Sequence, residues 1–115
     1  MSELAISPLD AFGVLDMRVG RIVRVDEFPR ARKPAYKLWI DFGPELGTKT
    51  SSAQLVHNYT TADLVNRLVV CAVNLDPRNI AGFTSEVLTL GAPDGHGNVV
   101  LLQPATEVPL GGRIF

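Results

Sequence analysis

Cysteine is almost absent from this chain. Cys71 stands alone, which excludes an internal disulfide and any zinc site built on paired cysteines. Histidine is nearly as scarce: His57 and His96 lie far apart, His96 within a glycine turn, and no His-Glu-x-x-His helix occurs. No apolar run approaches the ~20 residues that a bilayer-spanning helix needs. The opening stretch, MSELAISPLDAF, carries Glu3 where an export signal would carry Lys or Arg, and it has no sustained apolar segment. A cytoplasmic location without membrane insertion is expected. There is neither a phosphate-cradling glycine loop nor a nucleophile elbow, and Ser51 and Ser52 have no base in a suitable pattern. The expectation is a protein that is not an enzyme and needs neither metal nor cofactor.

What is present is ordinary for a globular domain. The chain has 115 residues, 46% apolar and 20% charged. That length fits one domain, residues 1–115, able to bury roughly two thirds of its unfolded surface. Cys71 falls in the apolar run LVVCAV and reads as a small core residue. The net charge of −1 conceals an uneven distribution. From Arg18 to Lys37 there are seven basic residues and two acids, a segment of +5 that leaves −6 for the remainder. Such a segment meets phosphate or an acidic partner, or is simply a solvated basic strand and loop. The molecule as a whole does not attract nucleic acid from a distance.

Hydrophobic periodicity outlines the elements. Ser7-Pro8 ahead of Leu9, Phe12 and Leu15 predicts a short capped helix ending near Gly13. From Met17 to Phe28 the alternation predicts a long half-buried strand, with Met17, Val19, Val23 and Val25 on one face and Gly20 as its bend. After the exposed loop Pro29 to Ala35, Tyr36, Leu38, Ile40 and Phe42 share one face of a strand, and Lys37, Trp39 and Asp41 the other. Lys49 to Val56 reads as a more polar third strand. Thr60 or Thr61 caps a small helix supported by Asp63. Leu68 to Asn74 and Phe83 to Leu90 read as continuous strands, and Pro93 to Asn98 as a tight turn into Val99 to Gln103. Five principal strands with a helix between the third and fourth follow the plan of an oligonucleotide/oligosaccharide-binding (OB) barrel.

Several peptides sharpen this plan. Asp16-Met17-Arg18-Val19-Gly20-Arg21-Ile22, Asn74-Leu75-x-Pro77 and Gly82-x-x-Ser85 with Leu88 resemble segments of the tRNA-binding-domain superfamily. Arg32 to Leu38, Asp41 to Pro44, Ser51 to Gln54, Ser85 to Leu88 and Gly111 to Phe115 resemble its CsaA family of small secretion chaperones. The resemblance implies an all-β, five-stranded OB-fold Greek-key barrel with a short N-terminal helix and a small helix between strands 3 and 4. It also implies a homodimer that binds unfolded or export-bound polypeptides, with the protein-export machinery as a possible partner. A tRNA-binding module is the alternative, with tRNA as its partner; a domain that only mediates assembly with an enzyme is the third reading. The tRNA-binding branch commonly carries cations at the places of Asp76 and Ala81 and Gln at the place of Glu86. The charges here therefore disfavour tRNA, since each lost phosphate contact removes a released counterion.

Trp39 is the first candidate site residue. It interrupts a polar strand face, so it lines a groove, or is buried under a loop or a partner subunit. If the family fold holds, Lys33, Tyr36, Lys37 and Arg78 border the same groove. Ser85, Glu86 and Leu88 of the signature complete the peptide or RNA groove together with Asn74, whose amide alternatively pins the following loop.

Overall fold

The computed structural model describes residues 5–115, so Glu3 lies outside the described residues. A first helix, α1 (Pro8–Val14), begins where Ser7 Oγ accepts the Asp10 N–H at 3.1 Å. It buries none of its own side chains: Leu9 is 79% and Phe12 42% exposed. A helix of two turns has little stability of its own. Its C-terminal end is held from outside, where Arg113 Nη2 donates to Gly13 O at 2.9 Å and Asn74 Nδ2 to Val14 O at 2.9 Å.

Three antiparallel strands follow: β1 (Met17–Glu27), β2 (Tyr36–Asp41) and β3 (Thr48–Ala53). The expected alternation in β2 is realised, with Tyr36, Leu38, Ile40 and Phe42 buried. In β1 it is interrupted. The register with β2 slips between Ile22 and Arg24, a bulge that turns Val23 out to 46% exposure and sends Ile22 fully into the core. The predicted face of Met17, Val19, Val23 and Val25 is thus corrected, because an extra residue reverses the parity of everything beyond it. At Gly20 a Cβ would lie 2.5 Å from Ile40 Cγ2 and 2.7 Å from Phe42 Cε1, so glycine lets β1 and β2 pack closely.

The small helix α2 (Thr61–Leu64) is closed by a reciprocal cap. Thr60 Oγ1 accepts the Asp63 N–H and Asp63 Oδ2 accepts the Thr60 N–H. Then come β4 (Leu68–Ala72), buried throughout, β5 (Arg78–Ile80), β6 (Phe83–Ser85), β7 (Leu88–Thr89), β8 (Gly91–Pro93) and β9 (Val99–Leu101). The expected continuous strand from Phe83 to Leu90 is split. Its first part pairs back on β5 as a hairpin, and its second joins β4. The hairpin turn is Ala81-Gly82, with φ of 49° and 88°, the left-handed pair that two-residue hairpin loops require.

The main sheet runs β3-β2-β1-β4-β7. It comes nearly to closure where β3 meets the residues flanking β7. Thr50 O accepts the N–H groups of Glu86 (2.8 Å) and Val87 (3.1 Å), and Thr89 Oγ1 bonds Ser51 Oγ at 2.9 Å. The result is a nearly closed five-stranded OB-type barrel with two short helices. Inside it Ile22, Leu38, Ile40, Phe42, Leu64, Val69 and Cys71 form one cluster, each large aliphatic or aromatic member contributing about 1.5–3 kcal/mol through burial. The C-terminal segment lies along the start of β1, with Gly111 N–H on Val19 O at 2.8 Å and Ile114 N–H on Met17 O at 2.9 Å.

Candidate ligand groove

Beside the barrel seam the hairpin β5–β6, the loop 29–35 and β3 enclose a groove of about 480 Å³. Arg32 and Lys33 enter from the loop, Arg78 and Ile80 from β5, Leu88 from β7 and Val99 from β9. A smaller recess of about 140 Å³ shares Ser52, Arg78, Ile80 and Leu88 with it and adds Leu75, Asp76, Ser85 and Glu86. The floor is aliphatic and no aromatic side chain lines either space.

The seam itself is built by the Ser85-Glu86 pair. Ser85 Oγ accepts the Ser52 N–H at 2.9 Å. Glu86 Oε1 accepts the Thr50 N–H at 3.0 Å and faces its hydroxyl at 2.9 Å. These two side chains therefore fasten the end of the hairpin to β3, and the Glu86 carboxylate is directed at Thr50.

Three of the seven cations of the basic segment are paired within the molecule. Arg18 pairs with Asp16 at 2.7 Å and Glu45 at 3.4 Å, Arg21 with Glu107 at 2.5 Å, and Arg24 with Asp26 at 2.8 Å. The hydrogen bonds from Arg24 hold the Asp26 carboxyl below the usual carboxylate range. Arg32, Lys33 and Arg78 make no ion pair among the described residues. All three are exposed and all three border the groove.

Of the residues anticipated from sequence, Lys33, Arg78, Ser85, Glu86 and Leu88 come together here. Four do not. Tyr36 points into the barrel and donates its hydroxyl to Tyr59 O at 2.8 Å. Asn74 holds the entry to β1, accepting the Asp16 N–H at 2.9 Å while donating to Val14. Trp39 and Lys37 belong to an aromatic strip on the outer face of β2. There Phe83 meets Trp39 edge-on at 5.8 Å and Phe28 at 5.6 Å, and the Lys37 ammonium lies 4.8 Å from the Phe28 ring. Arg24 stacks over Trp39 at 4.3 Å, held there by Asp26. The indole is thus covered by groups of its own chain.

Sequence reasoning missed Arg32, Ile80 and Val99. Arg32 had a signal, being adjacent to Lys33 in the loop; Ile80 had none while the hairpin went unseen. Burial pushes the Cys71 thiol up to about 12, and its Sγ faces Thr89 Oγ1 at 3.6 Å. Among the described residues no three His, Cys, Asp or Glu side chains gather to hold a metal ion, and no helix is long and apolar enough to cross a membrane.

Known proteins place this architecture. Residues 17–113 match the family model of the tRNA binding domain. The chain is similar to the chaperone CsaA of Bacillus anthracis str. Ames, with 47% identity and a TM-score of 0.88 over 96% of this chain and 100% of that one. It is also similar to the CsaA chaperone protein of Picrophilus torridus, with 45% identity and a TM-score of 0.87 over 96% and 100% of the two chains. The methionine–tRNA ligase of Thermococcus onnurineus is 44% identical over 103 residues, 90% of this chain and 14% of the ligase. This chain thus spans only about one seventh of the length of such ligases. The chain belongs to the tRNA-binding-domain family and, within it, to the CsaA branch.

Proposed function

We propose that this protein is a non-catalytic chaperone, one domain acting as a two-fold symmetric dimer, that holds unfolded or export-bound polypeptides in the cytoplasm and hands them to the export machinery. The observation that carries this reading is the lining of the groove. Ile80, Leu88 and Val99 offer aliphatic contact beside unpaired cations, a surface suited to extended peptide side chains. Nucleotide bases bind instead by stacking on aromatic rings. The aromatic strip of this chain lies outside the groove, with Trp39 covered by Arg24 and Phe83. The likeness to the CsaA chaperones of known structure, along their full length, supports the same reading.

Binding of tRNA is the second reading, favoured by the match of residues 17–113 to the tRNA binding domain and by the free cations of the loop. The two separate in one experiment. Aggregation of a denatured client is followed by light scattering with and without the protein, beside a salt titration of labelled tRNA. The chaperone reading expects protection of the client near stoichiometric ratio and weak tRNA binding, strengthened by Glu86→Gln with Ala81→Arg. Tight tRNA binding that falls steeply with salt, with no protection of the client, would replace it with the second.

A further inference from the structure

We infer that the groove selects extended segments in which acidic residues flank aliphatic ones, and that it disfavours segments led by Lys or Arg. This rests on the polypeptide reading above and names the chemistry of the client. Two independent features support it. The first is the charge of its lining. Arg32, Lys33 and Arg78 make no ion pair among the described residues, as is also true of Arg30, Lys37, Lys49 and Arg67 elsewhere on the surface. Arg32, Lys33 and Arg78 converge on one groove whose main cavity has no carboxylate in its lining. The second is the floor between them, where Ile80, Leu88 and Val99 accept side chains the size of Leu or Val.

Carboxylates occur in the adjoining recess and, as Glu27, in a further cavity that shares Ala31, Arg32 and Ala35 with the groove. Glu86 is directed at Thr50. Asp76 is exposed and lines the recess with Arg78. A bound segment therefore meets positive charge over most of the groove. The consequence for clients is specific: the positively charged start of an export signal is the poorer ligand, and acid-bearing stretches elsewhere in an unfolded chain are the better ones.

The test uses labelled peptides that share one Leu/Val core and are flanked by Glu, by Gln or by Lys, titrated by fluorescence anisotropy. Wild type is expected to bind the Glu peptide about fivefold tighter than the Gln peptide, the yield of one or two exposed ion pairs, and the Lys peptide weakest. The order should flatten at high salt and in Lys33→Gln with Arg78→Gln, both exposed positions, while Lys49→Gln outside the groove keeps it. Equal binding of the three peptides, a preference for Lys, or an order unchanged in the double variant would overturn the selectivity and leave the chaperone reading intact. Failure of every peptide to bind, with tight binding of labelled single-stranded RNA, would overturn both.

Discussion

The Glu86 carboxylate is bound to Thr50, taking its N–H at 3.0 Å and lying 2.9 Å from its hydroxyl, while the Glu86 N–H returns a bond to Thr50 O at 2.8 Å. This reciprocal exchange joins the chain after the hairpin to β3 and does the work of ladder bonds that a two-residue β7 cannot supply. Glu86→Ala strips the Thr50 N–H of this acceptor, while the Thr50 hydroxyl keeps Thr84 O at 2.7 Å, and is expected to lower stability by about 1–2 kcal/mol. Glu86→Gln keeps an acceptor oxygen and should fall within about 0.5–1 kcal/mol of wild type. Urea midpoints of the two variants check this; equal losses would show that the side chain holds nothing.

Trp39 is the sole tryptophan, so its fluorescence reports the aromatic strip without ambiguity. Phe83→Ala removes the ring that meets it edge-on, and the emission should move to the red with greater quenching by acrylamide. Trp39→Ala should cost roughly 1–3 kcal/mol through lost packing, with peptide binding in the groove little changed. A large loss of peptide affinity at unchanged stability would return Trp39 to the binding surface.

Gly20→Ala puts a methyl group within 2.5–2.8 Å of Ile40 and Phe42. Both neighbours are fully buried in β2 and its continuation, so the strain is expected to lower stability by about 1–3 kcal/mol. Thermal denaturation of the variant measures it, and a melting point equal to wild type would mean that β1 and β2 separate freely.

Helix α1 presents Leu9 and Phe12 to solvent and buries nothing. In the dimer proposed above, a second copy would cover that face. Leu9→Glu with Phe12→Glu is expected to halve the mass seen by light scattering at micromolar concentration while the barrel keeps its circular dichroism. A wild-type monomer at that concentration would end the dimer proposal.

Cys71 is fully buried, with its thiol held up to about 12. Only the thiolate reacts, so an aromatic disulfide reagent near neutral pH should label the folded protein at the rate of its unfolding and the urea-unfolded chain at once. Rapid labelling of the folded state would place the sulfur nearer the surface.

The most legible parts of the sequence were those in which one period governs a whole element. Tyr36 to Phe42 alternates without interruption, and Thr60 with Asp63 forms the cap that the residue types call for. The bulge at Val23 left no mark, because a Val-rich run reads as alternation on either side of an inserted residue. The β5–β6 hairpin was hidden for a different reason. Its turn uses Ala81, where left-handed backbone is ordinarily signalled by Asn or Asp ahead of Gly. With that hairpin unseen, Phe83 to Leu90 merged into one strand. The groove was legible through its charges at Lys33 and Arg78. Tyr36 was a foreseeable exclusion, since it shares parity with Leu38 and Ile40 and had to follow them inward.

A cylinder that shuts along Thr50, Ser51, Glu86, Val87 and Thr89 has a built-in slit parallel to its strands. Breathing at such a slit needs only a handful of bonds to part, whereas β1 is paired with β2 and β4 along longer ladders, interrupted only by the bulge at Val23. Slow deuterium uptake in those three strands and faster uptake at Glu86 and Val87 would be its signature. The groove borders the slit through Leu88 and Ser52, so such breathing would change its width, and in the proposed chaperone it would let segments of unequal bulk enter without the rest of the barrel unfolding.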